Sequence, residues 1–237
     1  MEGIQDAMTY IVLIAIAPSL LLILYIYNLD KIEREPVRLL TRLFFLGGLS
    51  TVSAMLLEIV GENLLQSVVP DSTAVRYMIL ENFLVVALIE EGGKYLAVRF
   101  STWKNKAFNF RFDGVVYCAT ASLGFAAFEN ILYVISYGTS IAPTRAVTAI
   151  PLHCIAGVFM GHYYGQAKLM EDKGRHNMSV IYTVCSLLVP ILIHGCYDFL
   201  ATAENEFCSY IFLAYIIVLD LVAFRKIRRY SREDKAV

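Results

Sequence analysis

The chain has 237 residues, 58% of them hydrophobic and only 17% charged, with a mean hydropathy of +0.60. Soluble domains run nearer a quarter charged, so a water-soluble fold is excluded and the chain reads as an all-α, polytopic membrane protein. A net charge of −1 carries no message about nucleic acid, and none is expected as a partner.

Apolar runs of about 20 residues, the length that crosses about 30 Å of hydrocarbon, fall near 8–27, 38–60, 77–99, 114–136, 145–167, 179–200 and 207–224. They predict about seven transmembrane helices in a single membrane domain covering 1–237. The first run follows an acidic amino terminus (Glu2, Asp6) and ends without a small-residue cleavage site, so it reads as an anchor rather than a removable signal peptide. Lys31, Arg34 and Arg38 follow the first run, Arg99, Lys104, Lys106 and Arg111 the third, Lys168, Lys173 and Arg175 the fifth, and Arg225, Lys226, Arg228 and Arg229 the seventh. The connections near 61–75, 138–144 and 201–206 hold neither Lys nor Arg. This alternation places the amino terminus outside and the carboxyl tail in the cytoplasm of a multi-pass cell-membrane protein. The tail Arg225-Lys226-Ile227-Arg228-Arg229 reads first as a positive-inside anchor and second as a lipid-regulatory site, with membrane lipid a partner in either case.

In the second run, Gly47-Gly48, Glu58 and Glu62 read as packing and a span end. The third holds Glu90-Glu91-Gly92-Gly93-Lys94 between apolar flanks, where ionisable groups default to a functional reading. Glu90 and Lys94, at i and i+4, share a helix face and can pair, and the two glycines leave a bare patch for a neighbouring backbone. The fourth run carries Glu129-Asn130, with Tyr133 one turn on, its hydroxyl in reach of the Glu129 carboxyl or a ligand. In the fifth, His153 follows Pro151, Gly157, Gly161 and Gly165 mark a close-packing face, and His162 beside Tyr163 and Tyr164 reads as structural. In the sixth, Pro190, His194 and Asp198 fall at four-residue intervals, putting imidazole and carboxylate on one face below a proline kink. Cys118, Cys154, Cys185, Cys196 and Cys208 form no zinc-type spacing and read as small buried apolar residues.

At 1.5 Å per residue, Glu129, His153 and His194 lie roughly 10 to 15 Å from the external ends of their spans and Glu90 about 20 Å. Four spans thus bring acids and imidazoles to similar depth, as a polar cavity that admits water. Taken singly each has a plainer reading: Glu90 with Lys94 as a structural ion pair, Glu129-Asn130 as a helix-helix hydrogen-bonding device, either histidine as a satisfied interior group. Together they suit hydrolysis of a peptide bond, one glutamate acting as general base on a water while imidazoles orient it or stabilise the oxyanion. A nucleophilic mechanism is less favoured, with Cys154 and Cys196 the thiols nearest the histidines.

Glu90-Glu91-x-x-Lys94, the block from Asp113-Gly114 through Gly124-Phe125-Ala126 to Glu129-Asn130 and Tyr133, the Arg145-to-His153 segment and His194-x-x-x-Asp198 occur in this order. The set resembles the ordered motifs of the PrsW family, intramembrane proteases distantly related to the CAAX prenyl-protease superfamily, and extends from Asp30 to Phe199, including the turn Glu33-Arg34-Glu35-Pro36. The resemblance implies Glu90 and Glu91 as the water-activating pair, His194 as a catalytic imidazole, and Glu129, His153 and Asp198 as supporting members. It implies a single-span membrane protein as substrate, anti-sigma-factor-like and cut on its extracytoplasmic side. No cofactor is expected. A metal-dependent version, with a divalent ion such as zinc on Glu90, Glu129, His153 and His194, stands as an alternative, although no His-Glu-x-x-His occurs. The rival from another class is an ion- or proton-coupled transporter, which predicts internal repeats, and a third is a non-catalytic scaffold or receptor. No oligomeric state is read from the sequence.

Overall fold

In the computed structural model, residues 2–203 and 205–237 are described, with side-chain environments from residue 13 onward; the acidic reading of Glu2 and Asp6 lies outside them. The fold is all-α, in seven long helical segments. These are α1 (Glu2–Leu29), α2 (Val37–Val68), a third built from α3 (Val75–Leu80), a π-helical turn (Glu81–Ala87) and α4 (Leu88–Thr102), α5 (Arg111–Tyr137), a stretch holding α6 (Ala142–Val147) and α7 (Ala149–Asp172), α8 (His176–Thr202) and α9 (Glu206–Arg232).

Five of the seven expected spans, at α2, α5, α6–α7, α8 and α9, are long and apolar enough to cross a membrane. The third segment carries Glu81, Glu90, Glu91, Lys94 and Arg99, too many charges to read as apolar, and α1 is apolar over Leu13–Leu29. The fifth run is not one uninterrupted helix. It breaks at Thr148, because Pro151 has no N–H for the carbonyl four residues back and is tolerated only within the first turn of a new helix. Pro190, by contrast, lies inside α8 without ending it. Large apolar side chains on α2, α8 and α9 stay exposed, Leu56, Val184 and Leu213 among them, as a lipid-facing surface requires.

Helix α5 is the core, with every residue from Phe112 to Ala127 buried. Small residues let its neighbours come this close. A Cβ on Gly47 would meet the Ala121 carbonyl, one on Gly124 the Phe44 carbonyl, and one on Gly161 the Gly114 carbonyl, so α2 and α7 contact α5 backbone to backbone. The spacing of Gly157, Gly161 and Gly165 is the α7 face of that contact. The bare patch expected at Gly92 receives no neighbour within 4 Å, and Gly93 meets only the Ser50 side chain, because the close approach occurs on α5 instead. Cys118 and Cys154 are buried as expected, whereas Cys185, Cys196 and Cys208 are half-buried, lying on helices that have a free face.

Overpacking a backbone contact of this kind costs about 1–3 kcal/mol. Gly161→Leu is therefore expected to lower the thermal unfolding midpoint in detergent by roughly 4 to 10 °C, whereas Gly92→Ala, with open space around it, leaves the midpoint unchanged or raises it.

Candidate active site

Helical spacing makes the first contacts of the site. On α4, the Lys94 ammonium lies 3.0 Å from Glu90 Oε2 and 2.8 Å from Glu91 Oε1. Its third donor goes to Nδ1 of His153 on α7, 3.0 Å away, and the charge sits 4.0 Å above the Phe125 ring of α5. Lys94 is 0% exposed, and every proton it carries has an acceptor, the condition under which a buried charge is tolerated.

An ammonium has only donors, so His153 Nδ1 accepts and the ring proton sits on Nε2, which donates to Glu129 Oε2 at 3.1 Å. The same carboxylate accepts from Arg145 Nη2 at 2.5 Å, while Arg145 Nε donates to Asn130 Oδ1 at 3.0 Å. Of the two partners expected for the Tyr133 hydroxyl, the Glu129 carboxyl is instead held by Arg145 and His153. The Tyr133 ring lies 3.7 Å under the Arg145 guanidinium, because that cation occupies the near side of Glu129.

On α8, His194 Nδ1 donates to Glu91 Oε1 at 2.8 Å and lies 3.8 Å from Glu90 Oε2. Its Nε2 is 3.2 Å from Asp198 Oδ2, close enough for ionic attraction but off the hydrogen-bond line. The His153 and His194 rings meet edge to face, 5.0 Å apart. The π-helical turn before α4 packs on the same helix, with the Phe83 ring against Gly195, one residue past His194.

A cavity of about 540 Å³ runs between α2, α4, α5, α7 and α8 and is lined by Glu90, Glu129, His153, His194 and Asp198. Five of the six expected site residues thus face one space. The sixth, Glu91, lies behind them at 0% exposure, holding Lys94 and His194 through one oxygen while the other, Oε2, has no partner. His162 is elsewhere, stacked on Tyr230 of α9. Cys154 turns away from the cavity into a groove beside Leu22 and Asp220, one helical position being enough to put it on another face from His153.

Sequence reasoning missed Glu58, Glu62 and Arg145 as cavity residues. Glu58 and Glu62 are one turn apart on α2, the spacing of a shared face, and that repeat was the available signal. Arg145 was marked by its isolation, a single arginine beside a connection otherwise free of Lys and Arg.

Glu90, Glu91, His153 and His194 each place one ligand-type atom within 4.8 Å of the others. These are donors that zinc accepts. Lys94 Nζ, however, stands 2.8 to 3.0 Å from three of the four, in the position a shared cation would take, and both nitrogens of His153 are already engaged. In this arrangement the residues do not fit a metal ion.

A family model described as PrsW family intramembrane metalloprotease matches residues 35–224. The chain is 36% identical over 214 residues to a protein named Protease PrsW from Bacillus subtilis (strain 168), covering 90% of this chain and 92% of that one. It is 34% identical over 214 residues to Protease PrsW of Geobacillus kaustophilus (strain HTA426), covering 90% and 89%. To Protease PrsW of Clostridioides difficile (strain 630) it is 32% identical over 231 residues, covering 95% and 93%. No solved structure matches.

Removing one partner of a buried ion pair costs about 3–5 kcal/mol, since the charge left behind has no water. Lys94→Met is expected to destabilise the protein on that scale in thermal unfolding, and adding Glu90→Gln and Glu91→Gln to recover much of the loss. Equal midpoints for the single and triple variants would show that the ammonium carries no such duty.

Proposed function

The chain belongs to the PrsW family of intramembrane proteases, and from that premise we propose that Glu90 is the general base of a glutamate-activated peptide hydrolysis. The observation that carries this reading is the division of the two adjacent acids: Glu90 faces the cavity and Glu91 is sealed behind it, anchoring Lys94 and His194.

Glu90 takes a proton from a water in the cavity, and the resulting hydroxide attacks the scissile carbonyl carbon. His194, flanked by Glu91 and Asp198, faces the same space and donates through Nε2 to the oxyanion. Glu90 then returns its proton to the leaving amine, and the tetrahedral intermediate collapses to acid and amine. His153 and Glu129 are positioning residues, Glu129 being fixed by Arg145 and His153 by both Glu129 and Lys94. Lys94 holds the positive charge near the two acids throughout, so the proton on Glu90 comes and goes against a constant background.

The family description includes a metal, and the four donor side chains are of the right type for zinc. Lys94 stands among them with its ammonium in the place an ion would take. As substrate we propose a single-span membrane protein, anti-sigma-factor-like, cut toward its extracytoplasmic side. The cavity is lined by the ends of α2, α5 and α8 that lead into connections 69–74, 138–141 and 203–205, opposite the Lys- and Arg-bearing connections 30–36, 103–110 and 173–175. The positive-inside pattern then supports seven spans with the amino terminus outside and the carboxyl tail in the cytoplasm. Membership of a protease family weighs against the transporter and scaffold readings.

The test is cleavage of candidate single-span proteins by purified enzyme in detergent. Wild type is expected to cut with or without a strong chelator. Glu90→Gln, nearly isosteric, is expected to stay folded and lose about 10²-fold or more of the rate, with His194→Ala similarly impaired. Chelator inhibition reversed by added metal would replace the glutamate mechanism with a metal-dependent one, and full activity in Glu90→Gln would remove this residue from the role of base.

A further inference from the structure

A second group of acids is buried at the opposite end of the bundle. Asp30 and Glu35 come from the connection between α1 and α2, and Asp113 from the first turn of α5, with exposures of 4%, 3% and 0%. One carboxylate oxygen of each lies within 4.8 Å of the other two. The Tyr117 hydroxyl donates to Glu35 Oε2. Asp113 Oδ2 accepts the backbone N–H groups of Phe110 at 2.7 Å and Asn109 at 2.9 Å. Those bonds leave Asp113 Oδ1 and Asp30 Oδ2 buried with no partner.

Among the described residues no lysine or arginine forms an ion pair with these three acids, in contrast to Lys94 at the protease site, and the nearby Arg34 acts on Asp30 only from a distance. Among the described residues the lysine and arginine ion pairs lie elsewhere, on Glu90 and Glu91, Glu129, Asp172 and Glu233. Arg34 is turned over the Tyr27 ring at 5.3 Å, and Arg111 donates to the Glu233 carbonyl. A fourth acid, Asp234, adds negative charge from the carboxyl tail, its Oδ1 accepting from Phe112 N at 2.9 Å.

We propose that Asp30, Glu35 and Asp113 form a binding site for a hard divalent cation of the Mg²⁺, Mn²⁺ or Ca²⁺ class, tying the α1–α2 connection to the start of α5. Oxygens that share an ion at about 2.0–2.6 Å are separated by no more than about 5.2 Å, and these three residues place one oxygen each within 4.8 Å of the others. An all-carboxylate set with neither nitrogen nor sulfur selects such ions over zinc. Protons are the competing occupants. Burial, with Asp234 adding to it, pushes the Asp30 carboxyl up to about 6, and burial pushes that of Glu35 up to about 7 against the hydrogen bond from Tyr117. Residues just before Asp113 join the tail to the fold: Arg111 N donates to the Lys235 carbonyl at 3.0 Å and Val237 N to the Asn109 carbonyl at 2.8 Å. An ion here locks the α1–α2 connection to the start of α5, beside the bonded tail, at the end that the positive-inside pattern assigns to the cytoplasm. The site is separate from the protease centre and does not depend on how that centre works.

The test uses full-length protein purified in detergent, stripped with a chelator and held at pH 8. Mg²⁺, Mn²⁺ and Ca²⁺ are then titrated while thermal unfolding is followed, and bound metal per chain is measured by elemental analysis. Wild type is expected to retain about one ion per chain and to gain on the order of 5 °C. The gain is expected to vanish in Glu35→Gln and in Asp113→Asn, and to persist in the double variant Glu91→Gln with His194→Ala. Absence of any ion-dependent shift in wild type overturns the proposal. So does a shift that survives Glu35→Gln but is lost in the Glu91 and His194 double variant, which would move the ion to the protease centre. If instead acidification alone stabilises wild type and no metal is bound, the carboxyls share protons and the cation site is wrong. Should both acid variants fail to fold, metal content in the Glu91 and His194 double variant decides, one ion supporting the site and none overturning it.

Discussion

Lys94 organises the site because a fully buried ammonium is tolerable only if all of its donors are met. Two of its acceptors, Glu90 and Glu91, are guaranteed by the turn of its own helix, but the third, His153, belongs to α7. The need to satisfy that third donor ties α4 to α7, and the second contact of Glu91, to His194, ties it to α8. From His153 the chain of contacts runs outward through Glu129 to Arg145 and Asn130, so that charge, tautomer and orientation at the cavity follow from one buried cation. Glu90 is then the acid left with a face toward open space.

This polar chain can close only because the helices that carry it touch at backbone distance. Glycines at 47, 124 and 161 bring α2 and α7 onto α5, and His153 sits two turns before Gly161, where the two helices are still close enough for its Nε2 to reach Glu129. In a bilayer, lipid tails are as apolar as a leucine surface, so close van der Waals contact rather than exclusion of water holds such helices together. The π-helical turn ahead of Glu90 sits on the same packing, seating Phe83 against Gly195. Two unlike clusters follow at the two ends of this frame. The one around Lys94 carries a cation bonded within it, whereas the acids at Asp30, Glu35 and Asp113 are gathered without an ion-paired lysine or arginine among the described residues.

Much of this was legible in the sequence. Hydropathy located all seven helical segments, since a residue that faces lipid must be apolar whatever its neighbours are, and composition alone signalled a membrane protein. The order of the motifs pointed to the family, and the shared depth of Glu90, Glu129, His153 and His194 anticipated the cavity they line. Local spacing also predicted the Lys94 pair with Glu90 and the Gly157, Gly161 and Gly165 face. These are properties of a single helix, set by its 3.6-residue period.

What sequence alone left open is which side chains on different helices meet. Glu58 and Arg145 entered the cavity unannounced, Tyr133 gave up the carboxyl to Arg145, and Gly92 turned out to face open space. The roles of the adjacent acids Glu90 and Glu91 could not be told apart, because about 100° of helical turn separates them and only the positions of α7 and α8 decide which of the two directions is cavity and which is packed protein. Helical periodicity is written residue by residue and so is readable in one dimension. The rotation and separation of one helix against another are set by the sum of many small contacts between distant stretches of chain, and those exist only once the bundle has formed.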